Sequence, residues 1–169
     1  MVKTLAILAY LLGGAESHQM PMELSSSVIK PNGNIPITYT CDGKNVSIPL
    51  KWRHVPSGTR SLALVMYDQS APKEKRYLWA IYNISPERHW LKAAEKLLRG
   101  AHYAENSWGH LRYDGPCPMR GEEHHYVIKL YALKAHFYFQ KEITTAELFQ
   151  VMAHRVIATA QIEARFVVR

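Results

Sequence analysis

The sequence predicts a β-rich α+β fold, a sandwich of two sheets with small peripheral helices. Runs of strand length are either apolar throughout or alternate with period two, turn residues separate them at short intervals, and only two segments carry a helical pattern. The clearest alternation is C-terminal: Ala158, Ala160, Ile162, Ala164, Phe166 and Val168 share one face, and Thr159, Gln161, Glu163 and Arg165 the other. Such a strand covers a core on one side and meets water on the other.

Taken in order, the first fifteen residues stand apart. Lys3 is their only charge, Thr4 to Leu12 is almost wholly apolar, and Gly13-Gly14-Ala15 supplies the small residues of a cleavage site. This layout predicts an export signal over residues 1–15, followed by a single domain over 16–169. The alternative is a terminal strand or helix packed on the domain. The apolar run is about half of the ~20 residues a spanning helix needs. Export places the mature chain in the periplasm or outside the cell; an uncleaved N-terminus places it in the cytoplasm.

Pro31-Asn32-Gly33-Asn34, Asp42-Gly43 and Pro56-Ser57-Gly58 read as turns. Ser61 to Tyr67 is apolar on both faces and predicts a strand buried on both sides. Leu78 to Ile84 and Tyr126 to Leu133 are further strands rich in aromatic and β-branched residues. Trp90 to Arg99 is read as one helix. Thr144-Thr145-Ala146-Glu147 offers a capping box, and Leu148, Val151 and Met152 give the apolar stripe of a short helix ending near His154.

At 169 residues the chain has the length of one self-sufficient domain. Its 21 Lys and Arg against 14 Asp and Glu give a charge of +7, which suits anionic surfaces and peripheral membrane contact. The cations are scattered, with no run reading as a nucleic-acid arm. Nine histidines include no His-x-x-x-His pair, and there is no Cys-x-x-Cys, so neither a metal nor a cofactor is expected. The even count of Cys41 and Cys117 in an exported chain suggests a disulfide closing about 75 residues, worth ~3–4 kcal/mol in the loop-entropy model. Two unpaired thiols are the alternative.

Several segments, in order, resemble the phosphatidylethanolamine-binding protein family and its bacterial Raf-kinase-inhibitor-like branch. They are Tyr39-Thr40-Cys41-Asp42-Gly43-Lys44-Asn45-Val46-Ser47-Ile48-Pro49-Leu50-Lys51-Trp52, Val55 to Ser61, Tyr67-Asp68-Gln69-Ser70-Ala71-Pro72, Trp79 to Ile84, and Gly115 to Tyr126. Together with Ala158-Thr159-Ala160, the likeness covers roughly Met22 to Val168. It implies a family β-sandwich with a small anion-accepting pocket at one end, in a chain that acts as a binding or inhibitory module.

By the same resemblance the pocket takes Asp68, Ser70, Leu78, His124 and Tyr126; the rigid, proline-braced loop of Gly115 and Pro116, whose backbone is preset, is read from its residues as part of the same binding site. Two of these depart from the family's pattern. Ser70 stands where an acid is usual and Leu78 where a histidine is, so the pocket has lost a carboxylate and an imidazole. Ile48 and Ser107 are lesser departures.

Each site residue has a plainer reading. Asp68 orients an imidazole or caps its strand in an Asx turn. Neighbours on a strand face opposite ways, so His124 and His125 cannot both line one cavity; His124 is taken as the ligand residue and His125 as structural. Tyr126 shares His124's face and either reaches the ligand or packs in the core. His110, Arg112 and Arg120 supplement the pocket or are solvated rim charges, and Trp79 and Trp108 are read as core or loop anchors.

The leading functional reading is a non-enzymatic binding protein for a small anionic or zwitterionic phosphate-type ligand, with a protein partner in addition. One alternative is a hydrolase using His124 as base, Asp68 as its orienter and Ser70 as nucleophile, although no Gly-x-Ser-x-Gly elbow accompanies it. Another is a pure interaction module with a vestigial pocket.

Overall fold

Eight strands form two antiparallel sheets in the computed structural model, which describes residues 20–71 and 75–168. The larger sheet has the order β6-β4-β3-β7-β8, from β3 (Ser61–Asp68), β4 (Arg76–Ile84), β6 (His102–Tyr103), β7 (Glu123–Leu133) and β8 (Val156–Val167). The smaller is β1-β2-β5, from β1 (Glu23–Ser25), β2 (Leu50–Arg53) and β5 (Trp90–Leu91). The expected export segment at residues 1–15 lies outside the described residues.

β3 is central because both of its faces are apolar. Leu62, Leu64 and Met66 point into the sandwich against Leu24, Leu50, Trp52 and Leu91 of the small sheet. Ala63 and Val65 point the other way, beneath Leu148 and Met152 of α1 (Thr145–Met152) and Phe137. Thus a second apolar layer under the helix covers the sheet face that the sandwich leaves open. α1 begins as expected: Thr144 Oγ1 accepts from Glu147 N at 3.1 Å, and Glu147 Oε2 accepts from Thr144 N at 2.8 Å.

The helix expected over Trp90–Arg99 does not form. Trp90 and Leu91 instead pair with Lys51 and Leu50 as strand β5, one exposed and one buried. Beyond them Glu95 Oε2 accepts from Lys92 N at 2.6 Å, and Ala94 takes φ +54°, so the backbone turns rather than winds. Leu98 packs on the sandwich core while Leu97 stays exposed, a division the chain achieves without a helix.

Cys41 and Cys117 form a disulfide with Cα atoms 5.4 Å apart. It joins the turn after a short 3-10 segment (Ile37–Tyr39) to the proline-braced loop at 115–118. Hydrogen bonds repeat the link: Cys41 N to Pro116 O at 3.1 Å, Gly115 N to Asn45 Oδ1 at 2.7 Å, and Tyr113 Oη to Tyr39 O at 2.6 Å. Among the described residues no helix is long and apolar enough to cross a membrane.

Candidate functional site

The register of the large sheet assembles the site at one end of the sandwich. Asp68, the last residue of β3, pairs with Arg76 on β4 and with Tyr126 on β7. Residues opposite one another share a face, so a guanidinium, a carboxylate and a phenol stand in one row across three strands. His124 lies two residues before Tyr126 on the same face, their ring centroids 6.4 Å apart.

Asp68 performs both tasks read from its sequence context. Its Oδ1 accepts from Ser70 N at 2.9 Å, closing an Asx turn at the strand end. Its Oδ2 stands 2.7 Å from His124 Nδ1. A carboxylate only accepts, so His124 carries a proton on Nδ1 and the ring is held in place. Asp68 is buried and His124 is partly so. The other ring nitrogen, Nε2, has Glu122 Oε2 at 3.3 Å.

Two recesses meet over this row and share Arg76 and Cys117 as walls. The inner one, lined by Asp68, Arg76, Leu78, Trp108, Cys117 and Tyr126, holds only about 10 Å³. That is room for about one water molecule. The outer one measures about 560 Å³ and is bounded by Ser70, Arg76, Met119, Glu122 and His124, among others. Leu78 and Tyr126 are almost wholly buried and fill the floor of the inner recess, which leaves the outer one as the space for a ligand. Burial pushes the Tyr126 hydroxyl well above the ordinary tyrosine range, with the Asp68 charge adding to the effect, so it remains a neutral donor.

Of the residues taken from the family pattern, Asp68, Ser70, Leu78, His124 and Tyr126 gather here. Gly115 and Pro116 do not line either recess. A Cβ on Gly115 would run into the Tyr39 carbonyl and come within 2.8 Å of Asn45 Oδ1, so these two residues seat the loop on the turn at 39–45. The loop wall facing the ligand space is Cys117, Pro118 and Met119. His125 points away from His124, with its backbone N–H donating to Ser70 Oγ at 2.9 Å.

Sequence reasoning missed Arg76 and misjudged Trp108. The Trp108 ring is 46% exposed and lines the inner recess, with the Arg76 guanidinium 5.9 Å from its centroid. Its loop is tied to β4 by Ser107, which donates N–H to Tyr77 O and accepts from Tyr77 N at 2.8 Å. Asn106 Oδ1 then accepts from Trp108 N and His110 N, and Asn106 Nδ2 donates to Asp114 Oδ2 at 2.7 Å. His110 and Arg112 are engaged on Asp114 rather than on the recess. Burial opposes ionisation of Asp114, yet hydrogen bonds from His110, Asn106 and Arg112 outweigh it and hold the carboxyl below its ordinary range. Arg76 makes no ion pair among the described residues and borders both recesses.

Two depressions lie elsewhere. One of about 470 Å³ runs between β1 and β8 beside Leu24, Ile29 and Ile162, and another of about 420 Å³ is lined by Tyr82, His102 and Phe139. Neither contains a buried carboxylate–imidazole pair like Asp68–His124. Among the described residues no group of three or more His, Cys, Asp or Glu side chains is arranged to hold a metal ion.

A two-sheet sandwich with a carboxylate-held imidazole and a phenol at one end, beside a disulfide-braced loop, defines a class of small β-sandwich domains. The chain belongs to the phosphatidylethanolamine-binding protein family, whose model matches residues 25–167. A UPF0098 protein of Methanothermobacter thermautotrophicus is 35% identical over 145 residues, covering 83% of this chain and 95% of the relative. UPF0098 protein YbcL of Escherichia coli is 30% identical over 141 residues, covering 76% of each. The likeness therefore extends to archaea as well as bacteria. Among solved structures, E. coli YbcL superposes with a TM-score of 0.82 at 28% identity, covering 89% of this chain and 100% of that one. A putative phosphatidylethanolamine-binding protein homologue from Chlamydia trachomatis gives 0.80 at 29% identity, covering 86% and 97%.

Proposed function

We propose that this protein is a non-enzymatic binding module that accepts a small phosphate-type group, anionic or zwitterionic, in the outer recess. The observation that carries the reading is the pairing of Arg76, free of ion pairs among the described residues, with His124 on the walls of one depression. A guanidinium and a doubly protonated imidazole both donate to phosphoryl oxygens, and Arg does so in a planar fork. Leu78 removes an imidazole from the inner recess, and Arg76 restores a cationic donor at its rim. The names of the family and of the solved relatives point the same way.

The hydrolase alternative has less support. Ser70 Oγ accepts from His125 N, and the two nitrogens of His124 face Asp68 and Glu122. A serine nucleophile needs its hydroxyl on the base. A Raf-kinase-inhibitor-like action on a protein partner would use the loops around the recess and follows from the family alone.

Calorimetric titration of the oxidised protein with inorganic phosphate and with phosphoethanolamine tests the binding reading. Saturable heat is expected for the wild type, reduced at least tenfold in affinity for His124→Ala and for Arg76→Ala. That is the scale of one lost hydrogen bond to a charged group. Equal binding by the His124→Ala protein removes the recess from consideration; no heat with any protein favours the interaction module with a vestigial pocket.

We further propose export, from the charge and apolar layout of residues 1–15 and from the disulfide, since such bonds persist in oxidising compartments. Intact mass of the protein expressed with this N-terminus in a bacterial host is expected to match a chain beginning at Glu16. A mature chain that retains Thr4 to Leu12 overturns the proposal.

A further inference from the structure

Resting on the reading of the outer recess as an anion site, we infer that Glu122 is a built-in occupant of His124. It weakens the site for every anion that takes the outer ring nitrogen, so that only a ligand with further contacts in the recess binds well. The imidazole has two nitrogens to offer. Asp68 holds Nδ1, so Nε2 is the ring position left for a ligand, one that donates to an anion when the ring carries both protons, and Glu122 Oε2 stands 3.3 Å from it. A ligand anion that reaches His124 must first move this carboxylate aside.

The two carboxylates on the ring are held very differently. Asp68 is 4% exposed and bonded on both oxygens, whereas Glu122 is 45% exposed and has no other charged partner among the described residues. The Glu122 backbone is pinned, its N–H donating to Met119 O at 3.0 Å, and Gly121 N donates to Val168 O at 2.9 Å. Displacement therefore needs only a side-chain rotation into open solvent. Asp68 is a fixed part of the site, and Glu122 is its removable plug.

Charge decides what can remove it. A carboxylate ligand carries the same single charge as Glu122, so at Nε2 it makes an exchange of like for like and loses its own freedom of motion. A phosphoryl dianion carries up to twice the charge and three acceptor oxygens. It can engage Nε2 and the Arg76 guanidinium, which line the same recess. Glu122 thus lowers the affinity of both by the same factor, and the phosphoryl group, with Arg76 in reach, is the one with affinity to spare. Glu87, exposed, outside the recess and in no ion pair among the described residues, serves as the control.

The test is calorimetric titration with inorganic phosphate and with acetate at pH 7.5 and low salt. It uses the full oxidised chain as wild type, Glu122→Gln, Glu87→Gln and His124→Ala, each checked for folding by circular dichroism. Glu122→Gln is expected to tighten phosphate and acetate by about the same factor, up to about fivefold, the scale of an exposed ion pair, because each must displace the same carboxylate. Glu87→Gln leaves both affinities unchanged. Phosphate binding that appears only in Glu122→Gln supports the plug in its strongest form.

Phosphate binding by the wild type with unaltered affinity in Glu122→Gln overturns the plug and leaves the anion site standing. The same gain in Glu87→Gln as in Glu122→Gln also overturns it, because bulk charge then explains both. No phosphate binding by either wild type or Glu122→Gln, or binding that survives His124→Ala, overturns both inferences.

Discussion

Replacing Cys41 and Cys117 with serine lowers the stability of the protein by about 4 kcal/mol and opens the loop wall of the recess. The two residues are 76 apart in sequence, and loop-closure entropy for a crosslink of that span has about this value. Equilibrium unfolding in urea under oxidising conditions measures it as a fall in midpoint at constant slope. The second effect follows from position. Cys117 borders both recesses, and the loop that carries it is seated on the turn at 39–45 by the disulfide together with the bonds from Cys41 N, Gly115 N and Tyr113 Oη. With the covalent link removed, those three bonds hold the loop alone. Phosphate affinity is expected to fall with stability. A loss below about 1 kcal/mol means that they suffice, and that the disulfide contributes little beyond them.

The long strands were legible because period and length coincide. β3 reads as apolar on both faces because it lies between the sandwich core and the layer beneath α1, and β8 alternates because only one of its faces is covered. The small sheet was not legible. Its strands run two to four residues, too short to show a period, and Trp90–Leu91 followed by mixed charged and apolar residues looks helical until its pairing with β2 is known. The same limit governs the site. Asp68, His124 and Tyr126 were visible through their motif. Arg76 was not, because its place depends on the register of the β3–β4 hairpin. Counting the hairpin outward from Asp68 is the one signal that could have found it. Trp108 is an anchor by sequence habit, yet the bonds of Asn106 and Ser107 turn its ring outward beside that guanidinium. Gly115 and Pro116 erred in the opposite direction: their rigidity was read as a binding surface, and it serves to seat the loop.

Asp68→Ala is expected to be the most damaging single change at the site, and comparison with Asp68→Asn separates its two roles. In alanine both accepted bonds vanish. Ser70 N loses the Asx-turn acceptor, and His124 Nδ1 loses its partner on a ring that is only partly exposed. A donor left without its acceptor in such a place costs about 1–3 kcal/mol. Asparagine keeps a side-chain oxygen for one of the two bonds, so much of that stability returns. What it does not keep is the second acceptor oxygen and the negative charge that together hold the His124 ring with its proton on Nδ1. Phosphate affinity in Asp68→Asn is therefore expected to stay about tenfold below wild type even where its urea midpoint recovers, the scale of one lost hydrogen bond to a charged group. Affinity that recovers in step with stability means that Asp68 acts only as the strand cap, and that His124 is oriented by Glu122 and the packing of Tyr126.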